Sequence, residues 1–152
     1  MDSIENGMSF DAESLERLKT LDPRLVVIME HAKQRTPFDW RIVQTARTIE
    51  QQREYFDAGR SKVNPDKYPD KAELYRAAKH ITGPGMLLSR AVDVAIVGKA
   101  PYHVPSLCYL AGAGRSIPIG VGTPVRWGGD WDQDGMLIEA GTFVDLPHFE
   151  LL

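Results

Sequence analysis

Residues 90–97 read RAVDVAIV. Val92, Val94 and Ile96 alternate with Ala91, Asp93 and Ala95, which is the period of a strand. The first face is branched and apolar. The second is small, with one acid at its centre. Asp93 taken alone fits a buried carboxylate held by backbone donors. It equally fits a ligand, because a buried charge is costly unless it is paired or bound to a metal.

Upstream of this strand the chain is mostly helical. Leu15, Leu18 and Leu21 give a narrow apolar stripe to a first helix. A second begins in LDPRLVVIMEHAK, with Asp22 as N-cap and Pro23 at the first helical position. Leu25, Ile28, Met29 and Ala32 line its inner face, and Thr36-Pro37 ends it. FDWRIVQTART (38–48) is a strand with Trp40, Ile42 and Gln44 on one side and Arg41, Val43 and Thr45 on the other. IEQQREYFDAG is helical and closes at Gly59. RSKVNPDKYPD is a polar loop, and DKAELYRAAKH is a short helix running into His80.

Downstream, PSLCYLAGAGRS (105–116) is a helix that its glycines should stop. IPIGVGTPVRWGGDW (117–131) suggests two short strands and a turn, and HFELL a terminal strand with Phe149 and Leu151 opposite His148 and Glu150. Helices come first and turn-separated strands later, so the expected class is α+β, one domain with a small, mainly antiparallel sheet.

Composition narrows the function. The chain has 152 residues and a net charge of −3, without the basic footprint of a nucleic-acid binder. One cysteine, Cys108, excludes an intrachain disulfide and a cysteine-rich zinc site. Cys108 lies in an apolar helix and reads as a small core residue. The acidic start, MDSIENGMSFDAESLERL, lacks the apolar segment of a signal peptide, and no run is long enough to span a membrane. Nothing suggests a coiled coil, and a monomer is expected. AGAGRSIPIGVG lacks the Lys-Ser/Thr of a phosphate loop.

A metal site in this chain must draw on histidine and carboxylate. The four histidines are His31, His80, His103 and His148. His31 lies within a helix and reads as a surface or packing residue. His103, after KAPY, reads as a solvated loop residue. His80 enters the turn ITGPG, which leads to Asp93, and by itself fits a helix cap. His148 stands three residues after Asp145 in FVDLPHFELL. On a regular strand that spacing sends the two to opposite faces, so they share a site only if Pro147 bends the chain.

KHITG…RAVDVAI, RWGGDW and VDLPHFEL together resemble the M15-type zinc peptidases over about residues 38–151. That family includes D-Ala-D-Ala carboxypeptidases and dipeptidases, and L-alanyl-D-glutamate endopeptidases; the likeness is greatest to the small phage endolysins of the last group. The resemblance implies a D-Ala-D-Ala peptidase/hedgehog-like fold. It matches His80, Asp93 and His148 to zinc ligands, Asp145 to the catalytic acid/base, and Arg47 of QTARTIEQQREYFDAGRS to the arginine that holds the substrate or developing oxyanion. It implies hydrolysis of the L-alanyl-D-glutamate bond of bacterial peptidoglycan, lysis of the cell, and a protein held in the host cytoplasm until released to the wall.

Two departures stand out. The serine of the family pattern S-x-H-x-x-G-x-A-x-D is Ala78. His80 and Asp93 are thirteen positions apart rather than seven, with PGMLLS (84–89) as the extra residues. A surface loop of that size costs little in closure entropy, so the ligands can still converge. If His80 is displaced, His103 is the replacement. The insert either packs back as ordinary core, the favoured expectation, or forms a wall of the cleft.

DWDQDG (130–135) fits the start of a calcium loop with Asp130, Asp132 and Asp134 as ligands, or an acidic surface turn. Gly141 stands where the loop needs its bidentate glutamate; Glu139 is the substitute. Two rival functions remain: a D-Ala-D-Ala carboxypeptidase or dipeptidase, and a non-catalytic zinc-binding module of the same fold. The presence of both Asp145 and Arg47 favours an enzyme.

Overall fold

The computed structural model describes residues 9–115 and 125–152. Four strands, Trp40–Gln44 (β1), Ala91–Ile96 (β2), Val125–Gly128 (β3) and Asp145–Leu151 (β4), form one antiparallel sheet in the order β1-β2-β4-β3. Among the described residues, five α-helices accompany it: Ala12–Leu18 (α1), Pro23–Arg35 (α2), Ile49–Asp57 (α3), Lys71–Ala77 (α4) and Val104–Arg115 (α5). This is the expected α+β class.

One sheet face carries Trp40, Ile42, Val92, Val94, Ile96, Trp127, Phe149 and Leu151 into the core, where they meet Leu25, Ile28, Met29 and Ala32 of α2 and Leu107, Leu110 and Ala111 of α5. Burial of these side chains is the main force holding the layers together. Local chemistry starts the helices. Asp22 accepts from the Arg24 amide before Pro23–Arg35, and Thr48 and Gln51 form a reciprocal capping box before Ile49–Asp57.

Several expectations are corrected. Leu15 is half exposed, and the inner face of α1 is Ser14 and Leu18, four residues apart. Ser14 Oγ accepts from the Ile42 amide at 2.9 Å, so a polar residue joins α1 to the sheet. Helix α5 runs through Gly112 and Gly114 to Arg115 instead of stopping. A Cβ on Gly114 would meet Ile28 Cγ2 of α2 at 3.6 Å, an ordinary contact. Helix α4 ends at Ala77, and His80 lies beyond its cap. Strand β4 begins at Asp145, before the HFELL stretch. The first strand expected in 117–131 falls largely on residues outside those described.

The insert packs back only in part: Met86 and Ser89 do, while Pro84, Gly85, Leu87 and Leu88 are exposed, and none of the six lines the cavity of Asp93. Gly83 and Met86 exchange backbone hydrogen bonds at 2.9 Å around Pro84 and Gly85, whose φ of +82° suits the third position of a type II turn. Met86 packs on the small cluster of Leu74, Tyr75 and Ile81, but Leu87 is 81% exposed. Ser89 then anchors the return: its amide donates to Thr20 O and its carbonyl accepts from Asp22 N, both at 2.8 Å.

Candidate active site

Asp93 sits on β2 between two irregularities in the neighbouring strands. On β1, Ile42 pairs with Val94 but Gln44 pairs with Asp93, so Val43 is an extra residue. On β4, Phe149 pairs with Trp127 but Asp145 pairs with the adjacent Gly128, leaving Leu146, Pro147 and His148 as the excess. Bulges re-aim side chains, and these two turn Gln44 and Asp145 toward the ground in front of Asp93. The second is locked by Trp127 Nε1, which donates to Leu146 O at 2.7 Å. It also needs Gly128: a Cβ there would lie 2.0 Å from Asp145 O.

His80 arrives from another direction. The Arg47 amide donates to His80 O at 2.8 Å and the Thr82 amide to Arg47 O at 2.9 Å, so the two segments are stapled side by side. His80 Nδ1 donates to Thr45 O at 2.7 Å, which leaves Nε2 as the bare nitrogen. That nitrogen is buried, has no hydrogen-bond partner, and lies 3.2 Å from Asp93 Oδ2. His148 Nδ1 is 3.0 Å from Asp93 Oδ1, and His148 Nε2 donates to Glu150 Oε1 at 2.9 Å.

One ligand atom from each of His80, Asp93 and His148 lies within 4.8 Å of the others. A lone pair aimed at a carboxylate repels it unless a cation stands between them. Two imidazoles and one carboxylate with their fourth side open are the donor set of a catalytic zinc site, so these residues fit the metal. Without it, burial works against Asp93's charge, but His80 and His148 outweigh burial and hold the carboxyl well below its usual range. Burial lowers His148, but its bonds to Asp93 and Glu150 win and push it up to about 9.

Asp145 and Arg47 share with Asp93 a cavity of about 600 Å³, together with Val43, Gln44, Tyr55, Arg60, Tyr102 and residues 144–147. Burial raises the Asp145 carboxyl, and the Asp93 charge raises it further. Such a group is a suitable acid/base because it can both take and return a proton. Arg47 is nine-tenths buried. Its Nη1 donates to Gln52 Oε1 at 2.7 Å, Nη2 to Gln44 Oε1 at 2.5 Å, and its guanidinium lies 4.3 Å from the Tyr55 ring centre. Burial pulls its pKa below the usual value, and Asp93 opposes that.

The remaining candidates lie elsewhere. His31 is exposed beside Arg35, 3.0 Å from its Nη1, and His103 Nδ1 is 2.7 Å from Ser106 Oγ at the start of α5. Carboxylate oxygens of Asp130, Asp132 and Asp134 come within 4.8 Å of one another. Asp132 and Asp134 are exposed, while Asp130 is buried, takes no hydrogen bond, and lies 3.1 Å from Arg115 Nη1. Cys108 packs at the edge of the core, where burial raises its thiol. Sequence reasoning missed Gln44, Gln52, Tyr55, Arg60 and Glu150. The available signal was position: Glu150 is two residues beyond His148, on the same strand face.

A family model described as phage L-alanyl-D-glutamate peptidase matches residues 7–152. The L-alanyl-D-glutamate peptidase of Escherichia phage T5 is 30% identical over 152 residues, covering 96% of this chain and 99% of that protein. The crystal structure of the Serratia marcescens L-Ala D-Glu endopeptidase ChiX shares the fold with a TM-score of 0.67, at 24% identity over 96% of this chain and 92% of that one.

Proposed function

This chain belongs to the phage L-alanyl-D-glutamate peptidase family, and we propose that it is a zinc-dependent endolysin. It cleaves bacterial peptidoglycan at the bond between L-alanine and D-glutamate of the stem peptide. The observation that carries the reading is the gathering of Asp145 and Arg47 with Asp93 at one cavity, beside the His80 and His148 nitrogens.

His80, Asp93 and His148 would hold the metal. When bound, zinc supplies a Lewis acid for the scissile carbonyl and lowers the pKa of water. Asp145 takes the proton from the attacking water and returns it to the departing amine. Arg47, fixed by Gln44 and Gln52, faces the carbonyl oxygen and stabilises the charge that develops there. Tyr102 and the chain at 144–147 narrow the cavity around the substrate backbone. On this reading the enzyme is made in the host cytoplasm and acts on the wall after release.

Digestion of purified Gram-negative peptidoglycan, with fragments identified by mass, tests the reading. Intact stem peptides starting at D-glutamate are expected. Free alanine or Ala-Ala would instead support the D-Ala-D-Ala peptidase reading, and no product would support a non-catalytic metal-binding module.

A second reading concerns Asp130. The buried Asp130 carboxylate takes no hydrogen bond and is balanced by the single charge of Arg115, while two further acids come within reach of it. That supports calcium as the ion ordering residues 130–139, just before the catalytic strand. Glu139 is exposed, and the charge of Asp134 first, with Asp132 and Asp130, raises its carboxyl above the ordinary value. Calorimetry with calcium is the test; no heat at millimolar concentration removes this reading and leaves the zinc site untouched.

A further inference from the structure

The mechanism uses one of the two arginines in the cavity. Arg60 is the other. It stands at the C-terminal end of α3, where Gly59 adopts a left-handed φ of +71° and the Arg60 amide donates back to Tyr55 O at 2.8 Å. This helix-ending turn requires glycine and fixes where the next side chain leaves the backbone. The Arg60 guanidinium then lies 4.6 Å from the Tyr55 ring centre, while Arg47 lies 4.3 Å from the same ring. Tyr55 therefore carries both guanidiniums, the buried Arg47 and the solvent-facing Arg60, at the rim of one cavity.

Among the described residues no carboxylate pairs with Arg60. Asp93 and Asp145 act on Arg47, whereas Arg60 stands at the cavity with no ion pair to a carboxylate of the described residues, which makes it a place for an anion from outside. The arrangement is pre-organised: a stacked, backbone-anchored guanidinium loses little freedom when it binds. Nothing in the hydrolytic step calls for a second cation, since Arg47 already serves the carbonyl oxygen.

The substrate supplies the anion. A glutamyl residue has two carboxyl groups, and only one continues the peptide. The other stays free, a few bonds from the scissile nitrogen. We propose that Arg60, supported by Tyr55, is the subsite for the free carboxylate of the glutamyl residue, and that it makes the enzyme prefer this acid over its amide. The inference rests on the proposed peptidase function. It deepens that reading by naming the residue that recognises the charge.

The test uses two synthetic peptides with an L-alanyl-D-glutamyl bond, identical except that the free carboxyl is an acid in one and a carboxamide in the other. The ratio of kcat/KM for acid over amide is read for the zinc-loaded wild type, Arg60→Ala, Arg60→Lys and Lys62→Ala. Lys62 is an exposed cation over the Phe143 ring at 4.4 Å and serves as the control for general charge. The wild type should favour the acid about tenfold or more, as expected for a charge-assisted bond. Arg60→Ala should bring the ratio close to one, Arg60→Lys should keep part of it, and Lys62→Ala should keep it whole. A variant that merely misfolds cleaves neither peptide, and the ratio in Arg60→Lys then carries the test. Equal cleavage of acid and amide by the wild type, or a ratio unmoved in Arg60→Ala, overturns the subsite and leaves the peptidase intact. Failure to cut either peptide overturns the peptidase reading and the subsite with it.

Discussion

Glu150 Oε1 accepts a hydrogen bond from His148 Nε2 at 2.9 Å, while Nδ1 of the same ring faces Asp93 at 3.0 Å. Glu150 is itself held by Arg126 Nη2 at 2.8 Å. The carboxylate therefore fixes both the tautomer and the tilt of the ring. A ligand histidine whose other nitrogen loses its acceptor binds metal about 10–100-fold more weakly. Glu150→Ala should show that loss in a competition titration for zinc, and Glu150→Gln, whose carbonyl still accepts, should recover most of it. Equal zinc affinity in Glu150→Ala would mean that the ring is oriented by its packing against Trp131 and His80 alone.

Proton and metal compete for His148 Nδ1. In the metal-free protein His148 is raised to about 9, so at neutral pH the ring is charged and zinc must displace a proton. Apparent zinc affinity should rise about tenfold per pH unit as pH climbs toward 9, and then level. Calorimetry in two buffers of different ionisation heat should count at least one proton released per zinc at pH 7. The same shift sets metal-free stability. A folded pKa above the unfolded 6.5 gives stabilisation fully present below 6.5 and lost as pH rises through about 9. A metal-free melting temperature that does not fall across that interval would contradict the charged ring.

Asp145 has the opposite balance. Its carboxyl is raised by burial and by Asp93, so the ionised form opposes folding. A carboxyl raised in the fold makes stability fall as pH climbs through its folded pKa, and the loss is complete above it. Asp145→Asn should therefore melt higher than wild type at neutral pH without metal, and the gain should vanish in acid. A lower melting temperature at pH 7 would mean that the carboxylate is stabilised in place.

The close approach at Gly128 gives a purely steric prediction. A methyl group there meets the Asp145 carbonyl, so Gly128→Ala must move β4 or β3. The expected cost is about 1–3 kcal/mol in denaturant unfolding, with activity lost by more than stability alone explains. Unchanged activity would show that Asp145 tolerates displacement.

What was legible in the sequence was local. Asp22-Pro23 announced α2, and the alternation in 90–97 announced β2, because caps and periodicity act within a few residues. The bulges at Val43 and at 146–148 were not legible as register, because register belongs to a pair of strands and not to either sequence. Pro147 hinted at a bend but not at its partner, the Trp127 indole. Leu15 misled because a stripe of leucines does not show which edge faces the core, and Ser14 took that place through a backbone amide far away in the chain. PGMLLS looked apolar enough for core, yet its hairpin closes on itself before Leu87 can reach any. Arg60 and Tyr55 gave no signal alone; their meaning appears only when the turn at Gly59 stacks them beside Arg47.

The central claim is that one site separates a metal-holding trio from an acid/base that does not hold the metal. The direct measurement is hydrolysis of purified Gram-negative peptidoglycan by wild type and by Asp145→Ala, each assayed for bound zinc. The account predicts that both proteins carry one zinc, that wild type releases peptides beginning at D-glutamate, and that Asp145→Ala releases none above background. Cleavage by Asp145→Ala at a rate near wild type, or cleavage by wild type stripped of metal, would contradict it.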